Sequence, residues 1–265
     1  MSSTINRLSL KHPDVITPDE ALLSTSVLDE SNIIDEEEME EDSEYIDPFL
    51  LMKEVPRYSL IPKYRLKHDL LPPKSPDVPS HTLILDLDET LVHCYLDKPE
   101  KYDISFQIEE EESYIVYLCF RPYVFHFLET MSKYYELVVF SAGIKPYVKT
   151  ICNLFNHEKR LIQYSLCRDD CVLVGNGMYI KDLGALNRDL ATTVILDNSP
   201  YTFAYHVDNG APIDSWYCDK NDKKLYQYLP LLKLLSREDD VRVSLRSVFN
   251  IQGILDSYDD FYCVC

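Results

Sequence analysis

The chain has 265 residues, with 45 acidic side chains against 26 lysines and arginines, a formal net charge of −19 at pH 7 and 46% hydrophobic residues. That content suffices for a buried core, and the charge works against direct binding to nucleic acid. No stretch approaches the ~18 apolar residues of a membrane-crossing helix, and the start of the chain lacks the charged and apolar regions of a signal peptide, so a soluble protein of the nucleus, the cytoplasm or both is expected.

Residues 1–50 hold 14 acids against Arg7 and Lys11, a net of −12. Their densest part, 35–44, repels itself too strongly to be buried, and the segment is expected to be a disordered acidic tail. Residues 51–80 read as a Pro-containing linker made basic by Lys53, Arg57, Lys63, Arg65 and Lys67, onto which the acidic run could fold back. A catalytic domain is expected over 81–240, followed by a C-terminal helix and tail over 241–265.

Residues 82–93 read TLILDLDETLVH. The run Leu83, Ile84, Leu85 and Leu87 is apolar on both faces, as a central parallel strand is. Asp86 and Asp88 come where it runs out, and their spacing on extended chain points both to one side. The crevice beyond the carboxyl ends of the strands is where open α/β sheets bind ligands. Two acids so close repel each other, and a hard, oxygen-liking divalent cation such as Mg²⁺ relieves that repulsion. The first acid could then attack phosphorus while the second handles the proton. A bare D-x-D more often marks acids that only solvate a loop or cap a helix.

After this motif, Ile104-Ser105-Phe106-Gln107-Ile108 and Tyr114-Ile115-Val116-Tyr117-Leu118 read as two strands joined by an acidic turn over 109–112, a β-hairpin that would wall the cleft. Arg121-Pro122 opens a helix with Pro122 in its first turn and apolar positions Val124, Phe127, Leu128 and Met131. The strand at 137–140 ends in Ser141, and a helix with Tyr147, Ile151, Leu154 and Phe155 follows; Ser141 could bond a phosphoryl oxygen or simply cap that helix. Tyr179-Ile180-Lys181-Asp182-Leu183 carries a lysine that would ordinarily be a surface charge. Another buried-type strand, 193–196, ends in Asp197, Asn198, Ser199 and Pro200. Finally, Asp219-Lys220-Asn221-Asp222 precedes a helix with Leu225, Leu229, Leu232 and Leu235.

The pattern D-x-D-x-T behind an apolar strand, with Leu91 and Val92 after it, resembles the haloacid dehalogenase superfamily. DLDETLVH, YIKDL and VILDNSP together resemble its FCP/SCP branch, the C-terminal-domain small phosphatases and their relatives, over roughly residues 45–250. The resemblance implies an α/β, HAD-like (Rossmannoid) parallel sheet flanked by helices, with the hairpin inserted after the first motif. It implies a Mg²⁺-dependent protein serine/threonine phosphatase acting through an aspartyl phosphate on phosphoserine or phosphothreonine protein tails, such as that of RNA polymerase II. In that reading Asp86 is the nucleophile and Asp88 the general acid and base. Ser141 and Lys181 would hold the phosphoryl oxygens. Asp86, the main-chain carbonyl of Asp88, and Asn198 would hold the metal, with Asp197 steadying the metal's waters or the lysine. Phe106, Ile108 and Tyr117 would form a hydrophobic substrate pocket, although core packing explains such residues as readily. The second motif reads FSAG where many relatives read FTAS, and the chain after Asn250 matches no known pattern. Two alternatives stand beside the phosphatase: a catalytically silent phosphoprotein-binding module of the same fold, and a small-metabolite phosphatase. Every expected position is filled, which disfavours the first, and no bulky lid separates the motifs, which disfavours the second. A monomer is expected.

Cysteines 94, 119, 152, 167, 171 and 218 are scattered without C-x-x-C pairs, which points to a reducing compartment and away from zinc. Neither the thiolate loop of the cysteine-dependent phosphatases nor G-x-x-x-x-G-K-[ST] is present. Cys263-Val264-Cys265 resembles a prenylated C-x-C end, against the default of a frayed, unmodified terminus.

Overall fold

The computed structural model describes residues 47–110 and 113–262. The acidic tail up to residue 46, two residues of the acidic turn, and Cys263 and Cys265 lie outside the described residues. In chain order the main elements are α1 (Pro48–Lys53), β1 (His81–Leu85), β2 (Val92–Tyr95), β3 (Ile104–Ile108), β4 (Tyr114–Phe120), α2 (Val124–Met131), β5 (Tyr135–Phe140), α3 (Lys145–Phe155) and β6 (Ile162–Leu166). They continue with β7 (Val172–Leu173), β8 (Tyr179–Ile180), β9 (Thr193–Asp197), β10 (Gly210–Pro212), α4 (Lys224–Leu235), α5 (Val241–Phe249) and α6 (Ile251–Tyr262).

Five strands form one parallel sheet in the order β10-β9-β1-β5-β6, with β1 at its centre, as expected of an α/β fold. Side chains alternate across it. Leu83, Leu85, Leu137, Val139, Val194 and Leu196 pack on one face with α2, α3 and α4. Ile84, Val138, Phe140 and Ile195 pack on the other, where Met52, Leu71, Phe203 and Ile251 cover them. A parallel sheet is hydrophobic on both faces and needs both covered. Within the stretch expected as a linker over 51–80, Met52, Ile61 and Leu71 are buried, and α1 packs against α6 and against residues 200–209. Met52 and Leu71 add to the cover of the second face.

The insert is larger than a hairpin. β3 and β4 pair antiparallel, Ile108 opposite Tyr114, and β2 joins the other edge of β4 to give the order β2-β4-β3. The helix after it starts at Val124, two residues beyond Pro122, because Arg121 is drawn inward and Tyr123 turns in the left-handed region at φ 67°. Arg121 is 1% exposed. It grips Asp222 with Nε and Nη2 at 2.9 and 3.0 Å, and donates to the carbonyls of Thr90 and Asp214 at 3.1 and 3.0 Å. One guanidinium thus joins the first-motif loop, the end of β4 and the loop before α4. In α4 the expected Leu225, Leu229, Leu232 and Leu235 are the buried stripe.

A second buried cation holds the covering segment. Glu136 of β5 accepts from Arg188 Nε and Nη2 at 2.7 and 2.8 Å and from Thr82 Oγ1 at 3.0 Å, while Arg188 also donates to Pro72 O at 2.8 Å. Burial pushes the Glu136 carboxyl up, but Arg188, with Lys74 and Thr82, brings it below its ordinary 4.5. A depressed carboxyl adds stability that is complete above the unfolded-state value and is lost as pH falls through the folded one. Arg188→Ala should therefore lower the unfolding free energy by about 3 kcal/mol at pH 7 in urea titrations, and by less near pH 4, since a buried carboxylate is left short of its partner. Lys220→Ala, which breaks an exposed pair with Asp103, should cost less than about 1 kcal/mol.

Candidate active site

β1, β5 and β9 run in register, with Leu85 between Val139 and Leu196. The next residues along β1 and β9 are Asp86 and Asp197, and the Asp86 N–H donates to Leu196 O at 3.0 Å. The register alone therefore sets two carboxylates side by side at the strand ends. Lys181, one residue beyond β8 and 1% exposed, lies between them. Its Nζ donates to Asp86 Oδ1 at 2.5 Å and to Asp197 Oδ2 at 2.6 Å. Asp197 is held further by Thr202 Oγ1 on Oδ2 and the Ser199 N–H on Oδ1, both at 2.8 Å. A lysine that composition alone would leave at the surface is thus the most buried cation of the site, and Asp197 is what orients it.

Asp88 lies apart from this ion pair, with its own donors. Ser141 Oγ donates to its Oδ2 at 3.3 Å and Tyr147 OH to its Oδ1. Ser141 does not cap α3, whose N-cap is Ile144; its Oγ accepts instead from the Gly143 N–H at 2.9 Å. Just after Asp88 the chain turns sharply at Glu89, a non-glycine residue at φ 57°. Such strain is concentrated at functional sites. Here it lets the Glu89 N–H reach Val92 O and start β2.

Burial pushes both Asp86 and Asp88 above the ordinary carboxylate range; Lys181 opposes this at Asp86, while the charge of Glu89 adds to it at Asp88. Burial works against the charged form of Lys181 too, but Asp197 and Asp86 more than offset it and hold the ammonium firmly protonated. Asp86 and Asp197 share this single ammonium and Asp88 stands nearby without a contacting cation, so two negative charges are left without a counter-charge when all three are ionised. Asn198 closes the group: its Oδ1 accepts from Thr90 Oγ1 at 3.2 Å and its Nδ2 donates to Ser215 Oγ at 2.9 Å. Among the described residues no group of three or more His, Cys, Asp and Glu side chains is placed to hold a metal. A cation here would depend on carboxylate, carbonyl and amide oxygens together, a set that suits a hard ion.

The three expected pocket residues do not share a face. Phe106 stacks on Tyr147 with centroids 6.4 Å apart, and Ile108 lies in the same cluster. Tyr117 pairs with Ser105 and so points to the other side of the insert, against Tyr102. Two cavities lie away from the acids: one of about 390 Å³ beside Tyr58 and His206, reaching Asp182, and one of about 640 Å³ along α3 and β6. Three kinds of site residue are not evident from sequence. Tyr147 reads there as an apolar helical position and Arg121 as a helix start. Thr90 and Thr202 carry no signal beyond their places, one in the D-x-D-x-T motif and the other just past the Asp-Asn-Ser-Pro motif.

A family model described as NLI interacting factor-like phosphatase matches residues 81–242. CTD small phosphatase-like protein 2 of Dictyostelium discoideum is 39% identical over 78% of this chain, and CTD small phosphatase-like protein 3 of Caenorhabditis elegans is 40% identical over 71%. The chain spans 36% and 66% of their respective lengths. A human relative, carboxy-terminal domain RNA polymerase II polypeptide A small phosphatase 1, is 37% identical over 70% of this chain and 71% of its own length. The structure of Fcp1, an essential RNA polymerase II CTD phosphatase, superposes with a TM-score of 0.45 at 24% identity over 62% of this chain and 52% of that one, a likeness too loose to bear on the site.

Replacing Lys181 by Met leaves Asp86 and Asp197 facing each other without their common partner. The variant should lose about 3 kcal/mol or more of unfolding free energy at pH 7, and urea titration of the metal-free protein measures it.

Proposed function

The chain belongs to the NLI interacting factor-like phosphatase family, and from that membership we propose that it is a magnesium-dependent protein serine/threonine phosphatase working through an aspartyl phosphate on Asp86. One observation carries the reading. At the end of β1 a carboxylate is clamped by a buried lysine at 2.5 Å while a second carboxylate, two residues on, is held by separate donors. Two acids in unlike environments can take unlike roles.

Lys181 engages Asp86 Oδ1 and leaves Oδ2 for in-line attack on phosphorus. As that oxygen–phosphorus bond forms and the bond to the seryl or threonyl oxygen breaks, Asp88 passes its proton to the leaving oxygen. Its raised proton affinity suits this task. Asp88 then takes a proton from the water whose oxygen bonds to phosphorus, and the acyl phosphate bond breaks to free Asp86 and phosphate. Lys181 and Ser141 hold the phosphoryl oxygens and offset their charge. Two uncompensated carboxylates and an all-oxygen donor set fit Mg²⁺, which Asp86, the main-chain carbonyl of Asp88, and Asn198 would hold. When bound, it supplies positive charge against the phosphoryl group.

Asp88 and Asn198 are half-buried and Ser215 beside them is exposed, so the acids are within reach of solvent. The relatives' names support a phosphorylated protein tail as substrate, such as the C-terminal domain of RNA polymerase II; the reading includes a monomer acting in the nucleus, the cytoplasm or both. Phosphate release from a phosphoserine peptide should require Mg²⁺, vanish with EDTA, and fall at least about 10³-fold in Asp86→Asn, whose far-ultraviolet spectrum stays that of the wild type. Substantial turnover by that variant contradicts the nucleophile assigned here. Adding Mg²⁺ to the stripped protein should also raise Tm, by the linkage of binding to folding, and less so in Asn198→Ala.

A further inference from the structure

Asp88 is held at both carboxylate oxygens, by Ser141 Oγ on Oδ2 and by Tyr147 OH on Oδ1, with Cys94 Sγ a more distant donor at 4.0 Å, and Tyr147 comes from outside the expected motifs. Tyr147 lies in the first turns of α3 and is buried. Its hydroxyl reaches Asp88 Oδ1 across 59 residues of sequence. Two neighbours set the ring's place. Phe106 of the insert stacks against it at 6.4 Å and 30°. On another side is Gly143: a Cβ built there would stand 2.9 Å from Tyr147 Cδ1 and 3.1 Å from Ser141 Oγ. The first distance is shorter than real Cβ contacts tolerate, and the atom it meets belongs to a buried ring held by Phe106. A side chain at 143 must therefore displace the ring, crowd the Ser141 hydroxyl, or both. The absence of one at this position is what lets both donors converge on Asp88.

We propose that Tyr147, admitted by Gly143, is a positioning residue that fixes the rotation of the Asp88 carboxyl so that its proton faces the leaving oxygen. The inference rests on the phosphatase reading above. A carboxyl free at both oxygens turns about its Cβ–Cγ bond, and the fraction of time its O–H lies along the line to the leaving group falls. Ser141 has a single proton to donate, and when a phosphoryl oxygen takes it the Tyr147 hydroxyl still holds Oδ1 and limits that rotation. Tyr147 touches neither substrate nor phosphorus in this role and acts through Asp88 alone. The contact also links the insert to the chemistry, since Phe106 holds the ring that holds the acid.

The test uses the differing need of two substrates for a proton. A seryl alkoxide is a poor leaving group and needs the acid, whereas the nitrophenolate of p-nitrophenyl phosphate leaves with little help. The kcat/KM value covers steps only up to transfer of phosphorus to Asp86, so hydrolysis of the intermediate does not enter. Tyr147→Phe, which keeps the ring and its packing, should lose about tenfold more kcat/KM on a phosphoserine peptide than on p-nitrophenyl phosphate. Gly143→Ala should shift the same ratio in the same direction by displacing the ring. An equal loss on both substrates in Tyr147→Phe, or no loss on either, overturns the proposal while leaving the phosphatase reading in place. A wild-type protein that cleaves neither substrate overturns both.

Discussion

Everything at the strand ends depends on one ammonium group shut between two carboxylates. Taking Lys181, Asp86 and Asp197 out of water costs several kcal/mol per ion. The arrangement persists because the ammonium meets both carboxylates, Asp197 also receives Thr202 and the Ser199 N–H, and the Lys181 main-chain N–H donates to Thr202 O at 2.6 Å. Lateral neighbours in a parallel sheet put the two acids at a fixed separation, so the lysine finds its place by geometry. What remains unbalanced when Asp86, Asp88 and Asp197 are all ionised is negative charge, which in the function proposed above Mg²⁺ would offset.

The scaffold serves this point by covering both faces of the sheet. On one face the task falls to helices placed by the usual alternation. On the other it falls to Met52 and Leu71 from before the first strand and Ile251 from after α5. Two buried arginines tie these covers to the strands, Arg188 through Glu136 and Arg121 through Asp222 and the first-motif loop. The motif loop is therefore held from outside by Arg121 and by Trp216, whose main-chain N–H donates to Glu89 O at 2.9 Å, while its acids face inward. Rigidity behind the acids and freedom in front of them is what an in-line attack requires.

The parts legible in the sequence are those governed by short-range pattern. The apolar runs before Asp86, Ser141 and Asp197 are the strands expected of them, and the leucine stripe of α4 is buried as its spacing requires. Tyr147 is not legible in this way because helical periodicity treats a buried tyrosine as core; whether its hydroxyl meets a carboxylate depends on a residue far away in the chain. The same holds for Arg121, whose partner Asp222 is 101 residues on. The stretch 51–80 reads as a linker because its prolines and bases dominate its composition, yet Met52 and Leu71 pack on the sheet and Ile61 packs against β7 and β8. At Gly143 the sequence shows a departure from the family pattern, but only the Tyr147 ring, 2.9 Å from where a Cβ would stand, gives that departure a physical meaning.

The central claim is that Asp86 itself becomes phosphorylated. The direct measurement is to quench the protein during turnover of a phosphoserine peptide, reduce the acyl phosphate with borohydride, and find the altered residue by mass spectrometry of the digest. The account predicts conversion of Asp86 to homoserine, dependent on substrate and on Mg²⁺. Turnover with Asp86 unaltered, or with the label on another residue, would contradict it.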